Sequence, residues 1–164
     1  IRSRLVGSEM CIRDSLCTSI FLFCNLFILN GVLIMFSHVM IGSNDIEESK
    51  KFYDKLFETL DVKPGKLFPN LTGQKRYFYN LNGTSFCITE PIDGNPATVS
   101  NGATIGFNIK DTAQGDAWHK AGIENGGVSV EDPPGIRDYG DFKIYLAYLR
   151  DPTGNKLCAL LRIK

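Results

Sequence analysis

Residues 36–53 have the sequence FSHVMIGSNDIEESKKFY, in which a short apolar run leads directly into an amphipathic segment. The apolar run, 36–42, predicts a strand. Asp45 and the two glutamates that follow it form a capping-box-like start, with carboxylates at the positive end of the helix dipole. Apolar side chains then recur at helical spacing until Pro64-Gly65, so we predict a helix over 45–60.

Three strand candidates follow this helix, and a hairpin signal joins the last two. They cover residues 66–68, 75–81 and 84–90, and the dipeptide Asn82-Gly83 favours a tight two-residue turn. Residues 91–102 are rich in Pro, Gly, Asn and Ser, which is typical of a linker. Residues 36–90 are therefore predicted to form one β-α-β-β-β module.

The same order of elements returns after the linker, in residues 103–164. The helix of this second module is predicted to turn Trp118, Ala121 and Ile123 inward, and a loop with a lid-like segment is predicted after its short strand. The predicted elements are a strand at 103–109, a helix at 111–125, a short strand at 128–130, a loop from 131, and two strands at 142–150 and 156–163 around the turn formers 151–155.

The two modules align with each other as an internal repeat. A shift of 66 residues aligns the first strands and the helix starts, and a shift of 71 aligns the hairpins. The aligned pairs are His38 and Thr104, Asp45 and Asp111, Tyr77 and Tyr148, and Cys87 and Cys158. Because repeated units usually complete one another's core, we predict an α+β fold. Its two βαβββ modules pair into a curved mixed sheet around a cleft.

Composition and charge limit the class of protein. The 164 residues include 43% hydrophobic and 22% charged residues, which is an ordinary globular mixture. Lys+Arg and Asp+Glu both number 18, so the cationic surface that nucleic-acid binding requires is not predicted. The five cysteines include no Cys-x-x-Cys pair, so neither a zinc ribbon nor a thioredoxin-type redox motif is predicted. A disulfide framework is not expected in a domain of this size with this much core. We expect a cytoplasmic protein.

Residues 1–34 are expected to be a non-native or unstructured extension, with Met35 as the natural start. The uncharged stretch before residue 38 is long enough for a membrane span, but Asn25 and Asn30 interrupt it. Residues 6–15, VGSEMCIRDS, resemble a peptide translated from sequencing-adapter DNA. The alternative is a real N-terminal anchor, whereas no membrane contact is expected for 35–164.

Two motifs resemble those of a known family. Residues 36–42, followed by Asp45-Ile46, Ser49 and Phe52-Tyr53, resemble the opening of vicinal oxygen chelate proteins, the glyoxalase/bleomycin-resistance/dioxygenase superfamily. Residues 148–157, YLRDPTGNKL, resemble the closing "F-x-x-D-P-D-G-N-x-hydrophobic" of that family. The resemblance covers 35–164 and implies paired βαβββ modules, often in a homodimer, and a divalent metal at the floor of the cleft.

The resemblance also implies metal ligands on the first and last strands of each module. Those positions are His38, Cys87, Thr104 and Cys158, of which only His38 matches the usual His/Glu pattern. Mg²⁺, Mn²⁺ and Fe²⁺ prefer oxygen and imidazole ligands, whereas zinc accepts a Cys₂His set with an open position for water. The alternative is that both thiols are small apolar side chains that fill the floor. The expected cofactor is therefore none or one divalent metal, with zinc as a candidate.

Other side chains are candidates for catalysis or for ligand binding. His38 is a candidate general base, or a histidine that only shapes the site. Glu90 is a candidate for a displaced acid ligand or a second base, or it is a surface carboxylate. Arg137 is the preferred anchor for an anion, with Arg76 and Arg150 as alternatives, because a guanidinium grips a carboxylate in a bidentate way. Ordinary surface positions would also explain all three arginines.

Aromatic and hydroxyl side chains complete the predicted binding site. Tyr139 follows Arg137 in the predicted lid, and Thr104 occupies the position of the family's second histidine. The tyrosines that alternate on the hairpin strands, Tyr77, Tyr79, Tyr145 and Tyr148, would line the cleft or pack within the sheets.

Three functions remain open from the sequence. The first is a metal-assisted enzyme of the glyoxalase or dioxygenase type, similar to lactoylglutathione lyase, that acts on a small oxygenated metabolite. The second is a metal-free protein that binds a small molecule in the manner of bleomycin-resistance proteins. The third is a metal-free enzyme that uses His38 or Glu90 as its base. The replaced ligands favour the second and third, and we expect purified protein to hold no stoichiometric Mg²⁺, Mn²⁺ or Fe²⁺.

Overall fold

The computed structural model describes residues 28–29, 32–33 and 36–163. The chain divides into two compact units, Ile1–Ser37 and His38–Lys164. In the first unit, β1 (Ile28–Leu29) pairs antiparallel with β2 (Val32–Leu33), and the rest of the predicted extension lies outside the described residues. Among the described helices, none has the length and apolarity needed to span a bilayer.

The second unit begins with one β-α-β-β-β module. Its elements are β3 (His38–Gly42), α1 (Ile46–Glu58), β4 (Lys66–Leu67), β5 (Arg76–Leu81) and β6 (Thr84–Thr89). The sheet has the order β3-β6-β5-β4, with β3 parallel to β6 and the other pairs antiparallel. Asp45 caps α1 as predicted, and Asn82 and Gly83 adopt the positive φ values of 51° and 99° that a tight hairpin turn requires.

The second module repeats this arrangement after the linker. Its elements are β7 (Ile105–Asn108), α2 (Thr112–Glu124), β8 (Val128–Ser129), β9 (Gly135–Asp138), β10 (Lys143–Arg150) and β11 (Lys156–Ile163). The sheet has the order β7-β11-β10-β8, with β9 also paired to β10 and β7 parallel to β11. Asp111 caps α2 in the way that Asp45 caps α1. The predicted α+β repeat is therefore confirmed, with one more strand than predicted and with two separate sheets.

Each helix covers one face of its sheet, and the two modules share one core. Phe57 of α1 lies with its ring centroid 5.3 Å from Phe86 of the first sheet and 5.3 Å from Phe107 of the second. Side chains alternate between the two faces of a strand, so the remaining strand residues point away from the helices. We call that side the far face of each sheet.

The predicted inward face of α2 is partly wrong. Trp118 is fully buried as predicted, but Ile123 is 41% exposed and Gly122 is buried in its place. A Cβ atom at Gly122 would lie 2.2 Å from Cδ1 of Leu149, so the helix backbone comes too close to the sheet for a side chain. The apolar side chain of Ile123 favoured a buried position in the prediction. The close approach of the helix backbone to Leu149 instead requires a glycine at the buried position.

The predicted loop after residue 131 is also partly wrong. Residues 135–138 form β9, which pairs antiparallel with residues 143–146 of β10. Arg137 therefore lies on a strand rather than in a lid. The preceding Pro133-Pro134-Gly135 pattern indicated a loop, but the long β10 offers a free edge on which the chain can pair.

Candidate functional site

The two cysteines of the described region occupy equivalent positions on the far faces. Cys87 lies in β6 between Met40 of β3 and Phe78 of β5. Cys158 lies in β11 between Gly106 of β7 and Tyr148 of β10. Both thiols are buried, and both donate a hydrogen bond to the carbonyl oxygen of the next residue at 3.5 Å. The predicted equivalence of Cys87 and Cys158 is therefore confirmed.

The predicted equivalence of Tyr77 and Tyr148 is wrong by one residue. Phe78, and not Tyr77, is paired with Cys87, whereas Tyr148 is paired with Cys158. Four residues connect the paired residues Asn80 and Ser85, whereas five connect the equivalent pair Arg150 and Lys156, so the shift between modules is 70 before the turn and 71 after it. Tyr77 consequently faces α1, where its hydroxyl donates to both carboxylate oxygens of Glu47 at 3.2 Å.

His38 and Thr104 lie at the outer ends of the two first strands. His38 is exposed and pairs with Ser85, two residues before Met40 on the same face. Thr104 is exposed and directly precedes β7. Among the residues described, no three His, Cys, Asp or Glu side chains are grouped closely enough to hold a metal ion. The structure therefore does not bring His38, Cys87 and Cys158 together as a ligand set.

The chemistry of the two thiols also does not fit a metal site. Metal-bound cysteine is a thiolate, and a low pKa favours that form. Burial raises the pKa of Cys87 to about 11, against the opposing charge of Arg76. Burial also raises the pKa of Cys158, although a hydrogen bond with Tyr148 opposes it. The divalent metal implied by the resemblance does not fit these residues.

Tyr148 lies at the centre of a polar group on the far face of module two. Lys156 places its Nζ 4.9 Å from the centre of the Tyr148 ring, and the same ammonium forms an ion pair with Glu131. Burial raises the pKa of Tyr148 to about 12, so its hydroxyl is protonated at neutral pH. Glu131 has a positive φ of 61°, which is uncommon for a residue with a side chain.

The remaining predicted residues are dispersed. Arg137 donates from Nη2 to the carbonyl oxygen of Pro133 at 2.7 Å. Tyr139 is 57% exposed, and its ring stacks on Phe142 with the centroids 5.0 Å apart. Glu90 accepts a hydrogen bond from the backbone N–H of Lys75 at 2.7 Å. Among the contacts of the described residues, none joins Arg137, Tyr139 and Glu90 to one another.

A cavity is lined by residues of the first strands of both modules, β3 and β7. Its volume is about 210 Å³. Residues of β3, of the linker, of β7 and of the turn before β11 line it: Met40, Ile41, Gly42, Thr98, Val99, Ser100, Ala103, Ile105, Asn155 and Lys156. The sequence prediction missed this site, because the linker and the turn residues carried only structural signals.

Hydrogen bonds across the two modules hold the wall of this cavity in place. Asn44 fixes the linker, since its Nδ2 donates to the carbonyl oxygen of Ala97 at 3.2 Å and its Oδ1 accepts from the Ala97 N–H at 2.7 Å. Asn155 donates from Nδ2 to the carbonyl oxygen of Gly42 at 3.3 Å. The buried carboxylate of Asp151 accepts from the Tyr53 hydroxyl at 2.8 Å and from the Asn155 N–H at 2.8 Å. The cavity is therefore a built feature of both modules.

A comparison with known families gives one match over most of the chain. The profile described as "Glyoxalase/Bleomycin resistance protein/Dioxygenase superfamily" matches residues 35–159. Among curated proteins, none matches the chain significantly.

Solved structures share this fold. A glyoxalase/bleomycin resistance protein from Albidiferax ferrireducens T118 is 56% identical, with a TM-score of 0.69, and the match covers 77% of this chain and 98% of that one. A glyoxalase-related enzyme from Fulvimarina pelagi is 18% identical, with a TM-score of 0.58 and coverages of 80% and 88%. The oxidase ChaP-H1 is 19% identical, with a TM-score of 0.56 and coverages of 79% and 97%. The last two similarities concern the fold alone.

Proposed function

The chain belongs to the glyoxalase/bleomycin resistance protein/dioxygenase superfamily, and we propose that it binds a small oxygenated metabolite between its two modules without a metal ion. The observation that carries this proposal is the cavity of about 210 Å³, to which both modules and their linker contribute. Members of one fold family perform different chemistry, so the proposal rests on this site and not on the fold.

The lining of the cavity supports a small ligand with both apolar and polar parts. Met40, Ile41 and Ile105 supply apolar walls, while the Asn155 amide and the Lys156 ammonium supply polar groups. Ligand sites usually combine such walls with a few polar groups that orient the ligand. The cavity is smaller than the roughly 300–1,000 Å³ of sites for drug-sized molecules, so we propose a ligand of a few carbon and oxygen atoms.

The absence of a metal from the proposal follows from the donor chemistry. The positions that correspond to the family's ligands carry two buried thiols with raised pKa values and a threonine hydroxyl. A neutral thiol is a weak ligand, and a single imidazole does not retain a divalent ion. These side chains do not form a metal-binding set, and neither Cys87 nor Cys158 is among the residues that line the cavity.

Catalysis without a metal remains a second candidate function. The carboxylate of Glu90 is already engaged by the backbone N–H of Lys75 at 2.7 Å, and Glu90 is not among the residues that line the cavity. His38 is exposed and lies two residues from Met40, which lines the cavity. We propose His38, rather than Glu90, as the base of any such reaction.

The cytoplasmic location and the homodimer stay predictions.

A titration with a small diol tests the proposed function. Hexane-1,2-diol carries two neighbouring oxygens and a short apolar tail, and the full chain after dialysis against EDTA is the sample. We expect the amide ¹H–¹⁵N signals of Ile41, Ser100 and Ile105 to shift in a saturable way. Addition of Mg²⁺, Mn²⁺ or Zn²⁺ is expected to leave the affinity unchanged.

Two tryptophan variants locate the binding. Ile105→Trp fills the cavity and is expected to abolish the shifts. Ile123→Trp is the matched control, because Ile123 lies on the outward side of α2 and is 41% exposed. Shifts that miss the cavity residues, or that require an added metal ion, would overturn the proposal. The wild-type shift map alone gives this answer if Ile105→Trp does not fold.

A further inference from the structure

Arg76 lies on the far face of module one in an unusual aromatic setting. Its Cζ is 5.9 Å from the ring centroid of Phe68 and 5.8 Å from that of Phe78. The two rings meet edge to face, with centroids 6.0 Å apart. A guanidinium that stacks on aromatic faces is held in one orientation, so less entropy is lost when it binds a ligand.

The hydrogen bonds of the arginines distinguish Arg76 from Arg137 and Arg150. Arg137 and Arg150 each donate a hydrogen bond from an Nη group to a backbone carbonyl oxygen, that of Pro133 and that of Gly154 respectively. Arg76 donates instead from Nε, to the carbonyl oxygen of Phe68 at 3.2 Å. Among the described residues, no carboxylate pairs with Arg76, and its two Nη groups are not in any hydrogen bond of that region. Those groups form the fork that binds a carboxylate.

The charged residues that the strands place on the two far faces are all basic, although a loop residue, Glu131, forms an ion pair with one of them, Lys156. The strand registers place no Asp or Glu of the described strands on either far face, although the whole chain has as many acidic as basic residues. The basic strand residues on these faces are Lys66, Arg76, Arg137, Arg150, Lys156 and Arg162. In a protein with no net charge, basic strand residues on a far face make that face attractive to an anion.

We propose that Arg76, between Phe68 and Phe78, binds the carboxylate of an aromatic or similarly apolar ligand. The planar fork of the guanidinium accounts for the carboxylate. Phe68 is 64% exposed and provides a ring face for an apolar ligand beside the charge. A strongly hydrated anion without an apolar part, such as inorganic phosphate, gains nothing from these rings and binds more weakly.

The Arg76 site and the cavity lie within reach of one small molecule. Arg76 pairs with Thr89, and Thr89 pairs with Gly42, which lines the cavity. Neighbouring strands are about 4.8 Å apart, so the backbone of Arg76 is roughly 10 Å from that of Gly42. We therefore expect the ligand to be a carboxylate that binds Arg76 through its charged group and extends its uncharged part towards the cavity. This extension rests on the proposed function, whereas binding of the carboxylate at Arg76 does not.

Benzoate and benzamide form a matched pair of probes for Arg76, since they differ mainly in charge. At constant ionic strength, we expect sodium benzoate to shift the Arg76 side-chain ¹H–¹⁵Nε signal and the Phe78 amide signal of the full chain. Charge-assisted hydrogen bonds predict that benzamide binds roughly 10- to 100-fold more weakly. Equal affinity for benzoate and benzamide would overturn the inference.

Two lysine variants separate the guanidinium from its charge. Arg76→Lys keeps the charge but loses the planar fork, and we expect benzoate affinity to fall at least about tenfold. Arg162→Lys is the control, because Arg162 lies on the far face of module two. We expect this substitution to leave the benzoate affinity unchanged. Wild-type affinity in Arg76→Lys would contradict the inference. The hexane-1,2-diol titration reports on the cavity separately, so failure of either proposal is recognised by its own probe.

Discussion

Module one and module two share one order of elements, but they fill the space under their helices in different ways. In module one, α1 supplies the bulk, with Phe52, Tyr53 and Phe57 fully buried. In module two, α2 presents Gly115 and Gly122 beside Trp118, and the sheet supplies the bulk through Tyr145 and Leu149. A duplicated fold therefore tolerates exchange of volume between helix and sheet, provided that the total volume is kept.

The far faces have diverged less at their centres. Cys87 and Cys158 occupy the same register position in both modules. Their neighbours differ, because Phe78 and Arg76 lie beside Cys87, whereas Tyr148 and Lys156 lie beside Cys158. The two modules therefore differ on the helix side in how the core is filled, whereas on the far side they share the central cysteine and differ in its neighbours.

The largest expected effect comes from Phe57, which contacts both halves of the core. We expect Phe57→Ala to lower the free energy of unfolding by about 3–5 kcal/mol, because it leaves a cavity between Phe86 and Phe107. Urea unfolding measures the change. Phe68→Ala is the control, since Phe68 is 64% exposed, and it is expected to change stability little. A loss below about 1 kcal/mol for Phe57→Ala would mean that the modules do not share a core.

A smaller effect is expected where α2 approaches its sheet. Gly122→Val places side-chain atoms where Cδ1 of Leu149 lies, and overpacking of this kind costs about 1–3 kcal/mol. Thermal unfolding of Gly122→Val and of Ala117→Val, on the exposed side of the same helix, gives the comparison. Equal melting temperatures would contradict the different packing described for the two modules.

The smallest effect concerns the protonation of Cys87. Burial raises its pKa in the folded state to about 11, above the ordinary thiol value of 9.0. The unfolded chain therefore loses this proton first, so the stabilisation is complete below pH 9 and is lost as the pH rises towards 11. Between about pH 8 and pH 10, we expect wild-type protein to lose about 1 kcal/mol more than Cys87→Ala does. Chemical unfolding at both pH values measures the difference, and parallel pH profiles would show that Cys87 is not buried as described.

Local signals in the sequence predicted most of the fold. Asp45 and Asp111 cap the two helices, and Asn82-Gly83 forms the first hairpin turn, because each of these depends on neighbouring residues only. The prediction failed where contacts with residues distant in the sequence determine the local structure. Gly122 is buried because of Leu149, and β9 forms because β10 offers an edge.

The candidate site was less predictable than the fold. A one-residue difference in the hairpin turns exchanged the roles of Tyr77 and Phe78, since a shift of one residue moves a side chain to the other face of the sheet. The sequence places Asn155 and Lys156 in a turn, a strand and the closing motif but does not indicate a binding role for them, yet both line the cavity. Arg76 was one of three candidate arginines. Only the folded structure distinguishes it, because folding brings the rings of Phe68 and Phe78 next to its guanidinium.

A crystal structure of the full chain, treated with EDTA and grown with hexane-1,2-diol, tests the central claim most directly. The account predicts electron density for the diol between β3, the linker and β7, within hydrogen-bond distance of Asn155 or Lys156. Diol density elsewhere, together with a divalent ion bound by His38, Cys87 or Cys158 when zinc is supplied, would contradict it.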